Sequence, residues 1–520
     1  MTKGRGWPDA ITFAESWQRS VRRAPDAPFL IFEGPSGDSS AWTYGEFDTV
    51  VARAASFLHD NGVATGRAVH LALTNSPAFV ALWIAATRLG AWIVPSDPMA
   101  TTAELAGHIA RTSPVIGFCA VDRASTYLAA ATDLSVIEID EADTGLTVFG
   151  DNAFKNWSAP QLRDRAAVMF TSGTTGAPKG VEITQANYAF AGATMAAAAG
   201  LRSEHRQLVV LPVFHANAQY YSIASAIWAG ASVALMHTFS ATRFLAQAAR
   251  HGVTHASLFA APIRMILSRG ATPVQGLRLQ HCWYAMNISD DQYELLSGLL
   301  GCRPRQLYGM TETIPAVLTD RPSKTVPSSM GFVTDGCMVD LQDASGTSVA
   351  TDEVGEIVVG GEPGITLFAG YLDDPSTTAS SLRDGWLLTG DRARRDQSGR
   401  YFFDGRRADV LKVAGENVST VEVEQVLSAH PEVLEAAVIG MTDEIRDEVP
   451  VGFVVAADKA NPPSVEALHA WCAERLTKAK RPREITLVEE LPRTSVGKIR
   501  KFLLRDPSAE QASPRGTVSV

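Results

Sequence analysis

Residues 167–180 read AVMFTSGTTGAPKG, an apolar run that empties into a loop of hydroxyls and glycines holding one lysine. Glycines let successive backbone N–H groups turn inward as an anion-binding nest, Ser and Thr add donors, and a lysine adds a full positive charge. Thr171, Ser172, Gly173, Thr174, Thr175 and Lys179 therefore have the composition of a polyphosphate cradle. It is not a Walker loop, which needs Gly-Lys-Ser/Thr in succession at a helix start, because Pro178 precedes Lys179 and Gly180 follows it. A solvated surface loop would share this polarity, but the apolar run directly before it favours the cradle.

Such a loop needs rigid elements behind it. Apolar helical stretches such as Phe47 to Leu58 and Ala78 to Leu89 alternate with strand-like runs such as Ala68 to Leu73 and Val115 to Phe118. This βαβ rhythm continues through Gln207 to Leu211, an Ala-rich segment Ser222 to Trp228, and Ser232 to Leu235, and it predicts mainly parallel sheets. Between about Gly331 and Gly370 short alternating strands such as Glu356 to Val359 replace helix signals, which predicts a small all-β unit. The polar stretch Asp404 to Asp409 is taken as the major boundary. Beyond it come a helix over Val421–Ala429, strands over Glu435–Ile439 and Val451–Val455, and a helix over Ser464–Leu476, the makings of a compact α+β module. The expected fold class is thus α/β: a large N-terminal domain, 1–404, of mainly parallel αβ subdomains plus a small β-barrel, a hinge at 405–409, a small C-terminal domain at 410–506, and a flexible tail at 507–520.

Composition narrows the function classes. The chain has 520 residues, with 46 Lys plus Arg against 56 Asp plus Glu, so its net charge of −10 argues against nucleic acid as a partner. Hydrophobic residues at 46% and charged residues at 20% are ordinary globular usage, which excludes a mainly disordered chain. Cys119, Cys282, Cys302, Cys337 and Cys472 are odd in number and free of CxxC pairing, so neither a disulfide framework nor a zinc site is expected. The N-terminal residues carry charges and a proline where a signal peptide needs an apolar stretch. The most apolar segment, Ala78 to Val94, is broken by Arg88 and Gly90 and falls short of the roughly 20 residues that span a bilayer. A cytoplasmic enzyme without a membrane span is the expectation.

The loop TSGTTGAPKG resembles the phosphate loop of the adenylate-forming superfamily of acyl-CoA synthetases, carrier-protein adenylation domains and luciferases. The rest of the chain tests that likeness. Tyr308-Gly309-Met310-Thr311-Glu312 is similar to the family's second nucleotide motif, which implies that Tyr308 stacks on adenine, Thr311 meets phosphate and Glu312 binds magnesium. Thr389-Gly390-Asp391 matches the aspartate that holds the ribose diol, a role suited to a carboxylate that accepts two hydrogen bonds. Gly405-Arg406 matches the hinge motif, whose arginine contacts the nucleotide, and Leu491 to Ile499 matches the motif carrying the adenylation lysine, here Lys498. The motifs keep family order from 171 to 498.

The resemblance implies two half-reactions. A carboxylate attacks the α-phosphate of ATP, giving an acyl-AMP anhydride and pyrophosphate, and a thiol then displaces AMP. Lys498 would bridge carboxylate and α-phosphate, with Mg2+ on Glu312 and the 171–179 loop neutralising phosphate charge. The C-terminal domain would rotate about the hinge to withdraw Lys498 and present a thioester-forming face around Gly415. At the hinge, where the family commonly has Asp or Lys, this chain has Ala408 beside Asp409.

Within the family, the stretch after Phe214 reads His215, Ala216, Asn217, Ala218 and Gln219, with no acid to hold an amino-acid ammonium. Together with Lys412 to Ser419 and Ile445 to Glu448 this favours acyl-CoA ligases, nearest the crotonobetaine/carnitine-CoA ligase type. The acyl pocket is expected from 214–221, 259–264, 283–287 and 309–314, with Phe214, Ala216, Tyr284, Ala285, Met286 and Gly309 as lining candidates. Tyr284 to Met286 stand where the family usually has glycines, and read either as strand core or as acyl lining. His215 is read as a gate between the acyl site and the thiol channel in preference to a plain core histidine. A hydrophobic, alicyclic or bulky natural-product acid is expected, with ATP, Mg2+ and coenzyme A as co-reactants. Transfer to a carrier protein or partner ligase, a homodimer, and a non-catalytic nucleotide-binding scaffold stay open as alternatives.

Overall fold

The computed structural model describes residues 7, 10–141, 144–157, 159–171, 178–322, 325–406, 410–413, 416–443, 447–493 and 499–504. Ser172 to Thr175, Ala408, Asp409, Gly415 and Lys498 lie outside them, as does the tail from 505. The described chain forms two compact units, one of residues 1–340 and 358–388, the other of 341–357 and 389 onward.

The first unit is built on two large sheets. A seven-stranded sheet carries Ala68–Ala72, Trp92–Pro95, Ile116–Ala120, Ser135–Ile139 and Arg165–Thr171 in parallel, with Lys179–Thr184 and Gly370–Tyr371 antiparallel at one edge. A nine-stranded sheet runs parallel through Pro28–Glu33, Ser232–Met236, Arg206–Val209, His255–Phe259, His281–Ala285 and Arg305–Tyr308, with antiparallel strands at its edges. The βαβ rhythm of the sequence is therefore the fold, because parallel strands need helical crossovers that also cover their faces.

The helix Pro77–Arg88 is buried along its whole length, as a helix apolar on every side must be. Its one charge is paired, since Arg88 Nη1 donates to Asp48 Oδ1 at 2.6 Å. Ser76 caps its first turn. Phe13 stacks on Trp83 at 4.9 Å and Tyr188 lies 5.1 Å from Phe13, an aromatic layer that adds geometry to area burial. Asn75 ties the helix entry to the second sheet: its Nδ2 donates to Leu211 O at 3.1 Å and Met236 O at 3.0 Å, and its Oδ1 accepts from Val213 N at 2.8 Å.

The Ala-rich segment Ser222 to Trp228 is helical, and it spans the end of a π-helical stretch, Asn217–Ala224, and the α-helix Ser225–Ala229 that continues it. Such i→i+5 stretches are frequent at functional sites. No described helix is long and apolar enough to cross a membrane.

In the second unit Asp391–Arg395 pairs antiparallel with Tyr401–Arg406 within a five-stranded sheet. A further five-stranded sheet carries Val433–Asp443 and Asp447–Ala456 as its central pair, with helices Thr420–Ser428 and Val465–Arg475. Val423, Leu427, Val438, Val454, Leu468 and Cys472 form its core. Gly405 and Arg406 close the strand Tyr401–Arg406, immediately before the undescribed 407–409.

Candidate active site

The phosphate-type loop is held between paired strands. Thr171 and Lys179 are register partners at the end of the Arg165–Thr171 and Lys179–Thr184 pair, so the loop of hydroxyls and glycines leaves and re-enters the sheet at one point. Arg111 braces its far end, donating to Pro178 O at 2.6 Å and lying over the Phe170 ring at 5.0 Å.

Lys179 Nζ sits 5.0 Å from the centre of the Tyr371 ring, and Tyr371 donates its hydroxyl to Glu312 Oε1 at 3.0 Å. Burial, and then the neighbouring Glu312 carboxylate, push the Tyr371 phenol far up, so it stays a donor at neutral pH. Tyr371 in turn is fixed by the strand Gly370–Tyr371 beside Val181, and Phe368 N bonds Glu312 O at 3.0 Å. A loop lysine and a buried carboxylate are thus joined through one tyrosine.

Glu312 lies in a tight turn after the strand Arg305–Tyr308. Thr313 Oγ1 closes that turn, accepting from Met310 N at 3.0 Å and donating to Pro315 O at 3.1 Å. Gly309 cannot be larger: a Cβ there would stand 2.9 Å from Pro315 O and 3.0 Å from both Ala316 Cα and the Tyr221 hydroxyl. Ile314 takes φ +73°, a strained value for a β-branched residue. Tyr308 ends the strand and Thr311 opens the turn, so both stand at the same sheet edge as Glu312.

His215 and Phe214 follow Pro212 in the connection after Arg206–Val209, their rings 4.5 Å apart. Burial pushes the His215 imidazole down to about 4, so it is neutral at physiological pH. The connection is pinned by Asn75 on Val213 N and by Gln219, whose Nε2 donates to Val213 O at 2.7 Å while its Oε1 accepts from Tyr188. Ala216 leads into the π-helical stretch.

Among Tyr284, Ala285 and Met286 the structure separates two readings. Tyr284 is 1% exposed, packs in the core with Tyr293 at 6.1 Å, and donates to Pro327 O at 2.7 Å. It is strand core. Ala285 ends the strand, and Met286, with φ +72° and 45% exposed, turns away from it. A glycine would take that φ without strain.

In the second unit Asp391 and Arg406 are register partners, and Arg406 Nε donates to Asp391 Oδ1 at 2.8 Å. Thr389 Oγ1 anchors the turn on Ile357 O at 2.6 Å. Two residues separated along the sequence are therefore one charged pair.

Three residues that shape the first unit's site, Tyr371, Arg111 and Asn75, escaped the sequence reading. Each acts on a partner far along the chain, and none carries a local signal. The donor set around Glu312 fits Mg2+, a hard cation that takes one or two carboxylates and completes its shell with phosphate oxygens and water. Among the described residues no cluster of three or more His, Cys, Asp or Glu could hold a metal alone, so a transition-metal cage is not what this site offers.

A model of the AMP-binding enzyme family matches residues 17–372, and one of the AMP-binding enzyme C-terminal domain matches 422–498. The chain belongs to the AMP-binding enzyme family. It is 32% identical to a crotonobetaine/carnitine–CoA ligase of Escherichia coli over 489 residues, 90% of this chain and 94% of the relative. The corresponding ligase of Proteus mirabilis is also 32% identical, over 91% of this chain and 94% of its own length. Among solved structures, ATP-bound MatB of Rhodopseudomonas palustris superposes with a TM-score of 0.86 at 25% identity, covering 97% of this chain and 100% of its own. An o-succinylbenzoate CoA synthetase of Bacillus subtilis in complex with AMP superposes at 0.83 with 26% identity, covering 97% and 99%. The protein is an AMP-forming acyl-CoA synthetase with the mixed α/β architecture of adenylate-forming enzymes.

Proposed function

We propose that the enzyme activates a bulky, predominantly hydrophobic carboxylic acid, drawing ATP into the 171–179 loop and passing the acyl group to coenzyme A in a cytoplasmic setting. The observation that carries this reading is the Lys179–Tyr371–Glu312 chain, which joins the loop's cation to a buried carboxylate. Lys179 and the loop donors hold phosphate oxygens, and Glu312 holds Mg2+, which supplies charge neutralisation when bound. Tyr371 fixes the Glu312 carboxylate so that no reorganisation is needed as charge develops. Lys498 is assigned to the α-phosphate and the attacking carboxylate.

The acid's carboxylate oxygen attacks the α-phosphorus, the bond to pyrophosphate breaks, and acyl-AMP forms. The CoA sulfur then attacks the acyl carbon and AMP leaves, with the thiol proton passing to solvent. Neutral His215 beside Phe214 suits a gate that shields the anhydride from water. Asp391, held by Arg406, is assigned to the ribose diol. We assign 405–409 as the hinge between the adenylating and thioesterifying states, for which Gly405 at φ +105° supplies backbone freedom.

The acyl site takes its walls from segments rich in small and aromatic residues, among them Phe214, Ala216, Ala260, Ala261 and Ala285. These favour ring systems over short polar acids. ATP–pyrophosphate exchange across acids of graded ring size, followed by product analysis with CoA, tests the reading. Exchange dependent on a bulky acid and an acyl-CoA product are expected, with Lys498→Ala abolishing exchange while nucleotide still binds. Strong preference for acetate would overturn the substrate class, and full exchange in Lys498→Ala would overturn the role given to that lysine.

A further inference from the structure

Several buried polar side chains of the first unit bond to no described group of the protein: Asn217 through both amide atoms, Ser257 Oγ, Trp283 Nε1 and His215 Nε2. Asn217 is 5% exposed, Ser257 3% and Trp283 1%. Folded proteins satisfy nearly all such groups, so a side-chain amide buried with neither end bonded calls for a partner from outside the chain, an ordered water or a ligand.

Two of these groups share one layer. Ser257 and Trp283 are register partners on adjacent parallel strands, and their side chains leave the same face of the sheet. The face is identified by its neighbours. His255, two residues before Ser257, meets Ala199 O through Nε2 at 3.3 Å, and Arg305, register partner of Trp283, donates to Ala198 O at 3.1 Å. Both carbonyls belong to the end of the helix Gln185–Ala199. The π-helical stretch packs on that same face: Gln207, register partner of His255, donates Nε2 to Tyr221 O at 3.4 Å and Ser225 Oγ at 3.3 Å. Because Ser225 lies over the strand starts, Asn217, at the other end of the stretch, lies toward the strand ends where the acyl segments begin.

The chemistry of the set is specific. Trp283 Nε1 only donates, Ser257 and Asn217 donate and accept, and the neutral His215 nitrogen takes either role by tautomer. No Asp, Glu, Lys or Arg occurs in 211–224, 255–259 or 281–285, and Arg305, whose guanidinium lies over the Trp283 ring at 4.7 Å, is spent on His281 Nδ1 and the Ala198 and Asp320 carbonyls. An uncharged oxygen matches.

We propose that Asn217, Ser257 and Trp283, with His215 beside them, read a hydroxyl or keto oxygen carried by the acid at a distance from its carboxylate. The inference rests on the assignment of 214–221 to the acyl site and sharpens the substrate class from a bulky hydrocarbon acid to a bulky oxygenated one. Asn217 is a specificity residue, since a site built around a substrate oxygen rejects the analogue that lacks it by leaving its own polar groups unpaired.

The test is ATP–pyrophosphate exchange with matched pairs: cyclohexanecarboxylate against its 4-hydroxy and 4-oxo derivatives, and adamantane-1-carboxylate against its 3-hydroxy derivative. The expected result is a kcat/KM at least about tenfold higher for the oxygenated member of a pair, falling to within about threefold in Asn217→Leu. Ser257→Ala, a smaller change, should lower the same ratio and serves if Asn217→Leu fails to fold. Equal use of both members by the wild type, preference for the hydrocarbon acid, or a ratio untouched by both variants would overturn the proposal alone. Exchange with no acid of any pair would overturn the acid class on which it rests, and the proposal with it.

Discussion

The two ends of the nine-stranded sheet are made from the same strands and do opposite things. At the strand starts, His205, His255, His281 and Arg305 form a buried stack: rings 4.7 Å and 5.5 Å apart, Arg305 Nε on His281 Nδ1 at 2.9 Å, and Thr254 Oγ1 on His255 Nδ1 at 2.9 Å. At the strand ends the chain turns through Gly309, Met286 and Ile314 in crowded or positive-φ conformations, and polar groups of Asn217 and His215 find no partner among the described residues. The starts spend most of their polar groups on the fold, with His281 Nε2 the exception among the described residues of the stack, whereas the ends leave the whole Asn217 amide unbonded to any described group. Open α/β sheets place ligands at the carboxyl ends of their strands, and the crowded turns of this site stand at those ends.

The sharpest way to break this comparison is to remove charge at the strand ends. Glu312→Gln keeps the shape of the turn and the Tyr371 contact but removes the negative charge, and ATP–pyrophosphate exchange should fall on the order of 10²–10³-fold. Its unfolding midpoint should stay near that of the wild type. A large loss of stability with residual activity intact would make Glu312 a structural residue and dissolve the distinction.

The converse substitution acts at the strand starts. Arg305→Leu strips partners from His281 Nδ1 and the Ala198 and Asp320 carbonyls, and urea unfolding should show a loss of about 2–4 kcal/mol. The kcat/KM of the folded fraction should change less than about threefold, because the hydrogen bonds of Arg305 go to groups of the fold and it meets Trp283 only over the ring face, at 4.7 Å. A selective loss of activity without loss of stability would overturn the division of labour.

How much of this was readable beforehand depends on distance along the chain. Helices over Phe47–Leu58 and Ala78–Leu89 and the strand before the loop follow local periodicity, and they appear as Tyr44–Asp60, Pro77–Arg88 and Arg165–Thr171. The four segments expected around the acid each fall at the end of, or just after, a strand of one sheet, a placement that only the fold reveals. Tyr371 on Glu312, Arg111 on Pro178 and Asn75 on Val213 were not legible, since their partners lie 59, 67 and 138 residues away. Tyr284 was ambiguous for another reason. Its neighbours said strand, but which face a strand residue takes depends on register, and register places Tyr284 with Tyr293 in the core. The π-helical stretch Asn217–Ala224 was hidden too, because residue types and periodicity do not distinguish i→i+5 from i→i+4 bonding over so short a run.

Protonation separates the two ends further. Burial holds His255 down at about 4 and His281 well below its ordinary value, with Arg305 adding repulsion to both. In the unfolded chain these groups bind protons near pH 6.5, so between about pH 6.5 and 4 the unfolded state takes up more protons than the folded one. Stability should therefore be fully present above pH 6.5 and fall as pH drops, by about 1.4 kcal/mol per pH unit for each histidine that stays neutral. In Arg305→Leu the repulsion is gone, the folded histidines titrate closer to 6.5, and the slope of unfolding free energy against pH should flatten. A slope unchanged by the substitution would show that burial alone holds them neutral.

The smallest expected effect tests whether the strand ends store strain for function. Met286 adopts φ +72° at a position where the resemblance leads one to expect glycine, and its side chain is 45% exposed, so little packing is lost on removing it. Gly takes that backbone without penalty but brings more freedom to the unfolded chain, and the two terms partly cancel. Met286→Gly should raise stability by no more than about 1 kcal/mol in thermal or urea unfolding. If Met286 also borders the acid, the KM for bulky acids should rise while the KM for ATP stays constant. Unchanged kinetics with higher stability would make the strained methionine incidental to acid binding, and would narrow the specificity of the strand ends to the polar layer around Asn217.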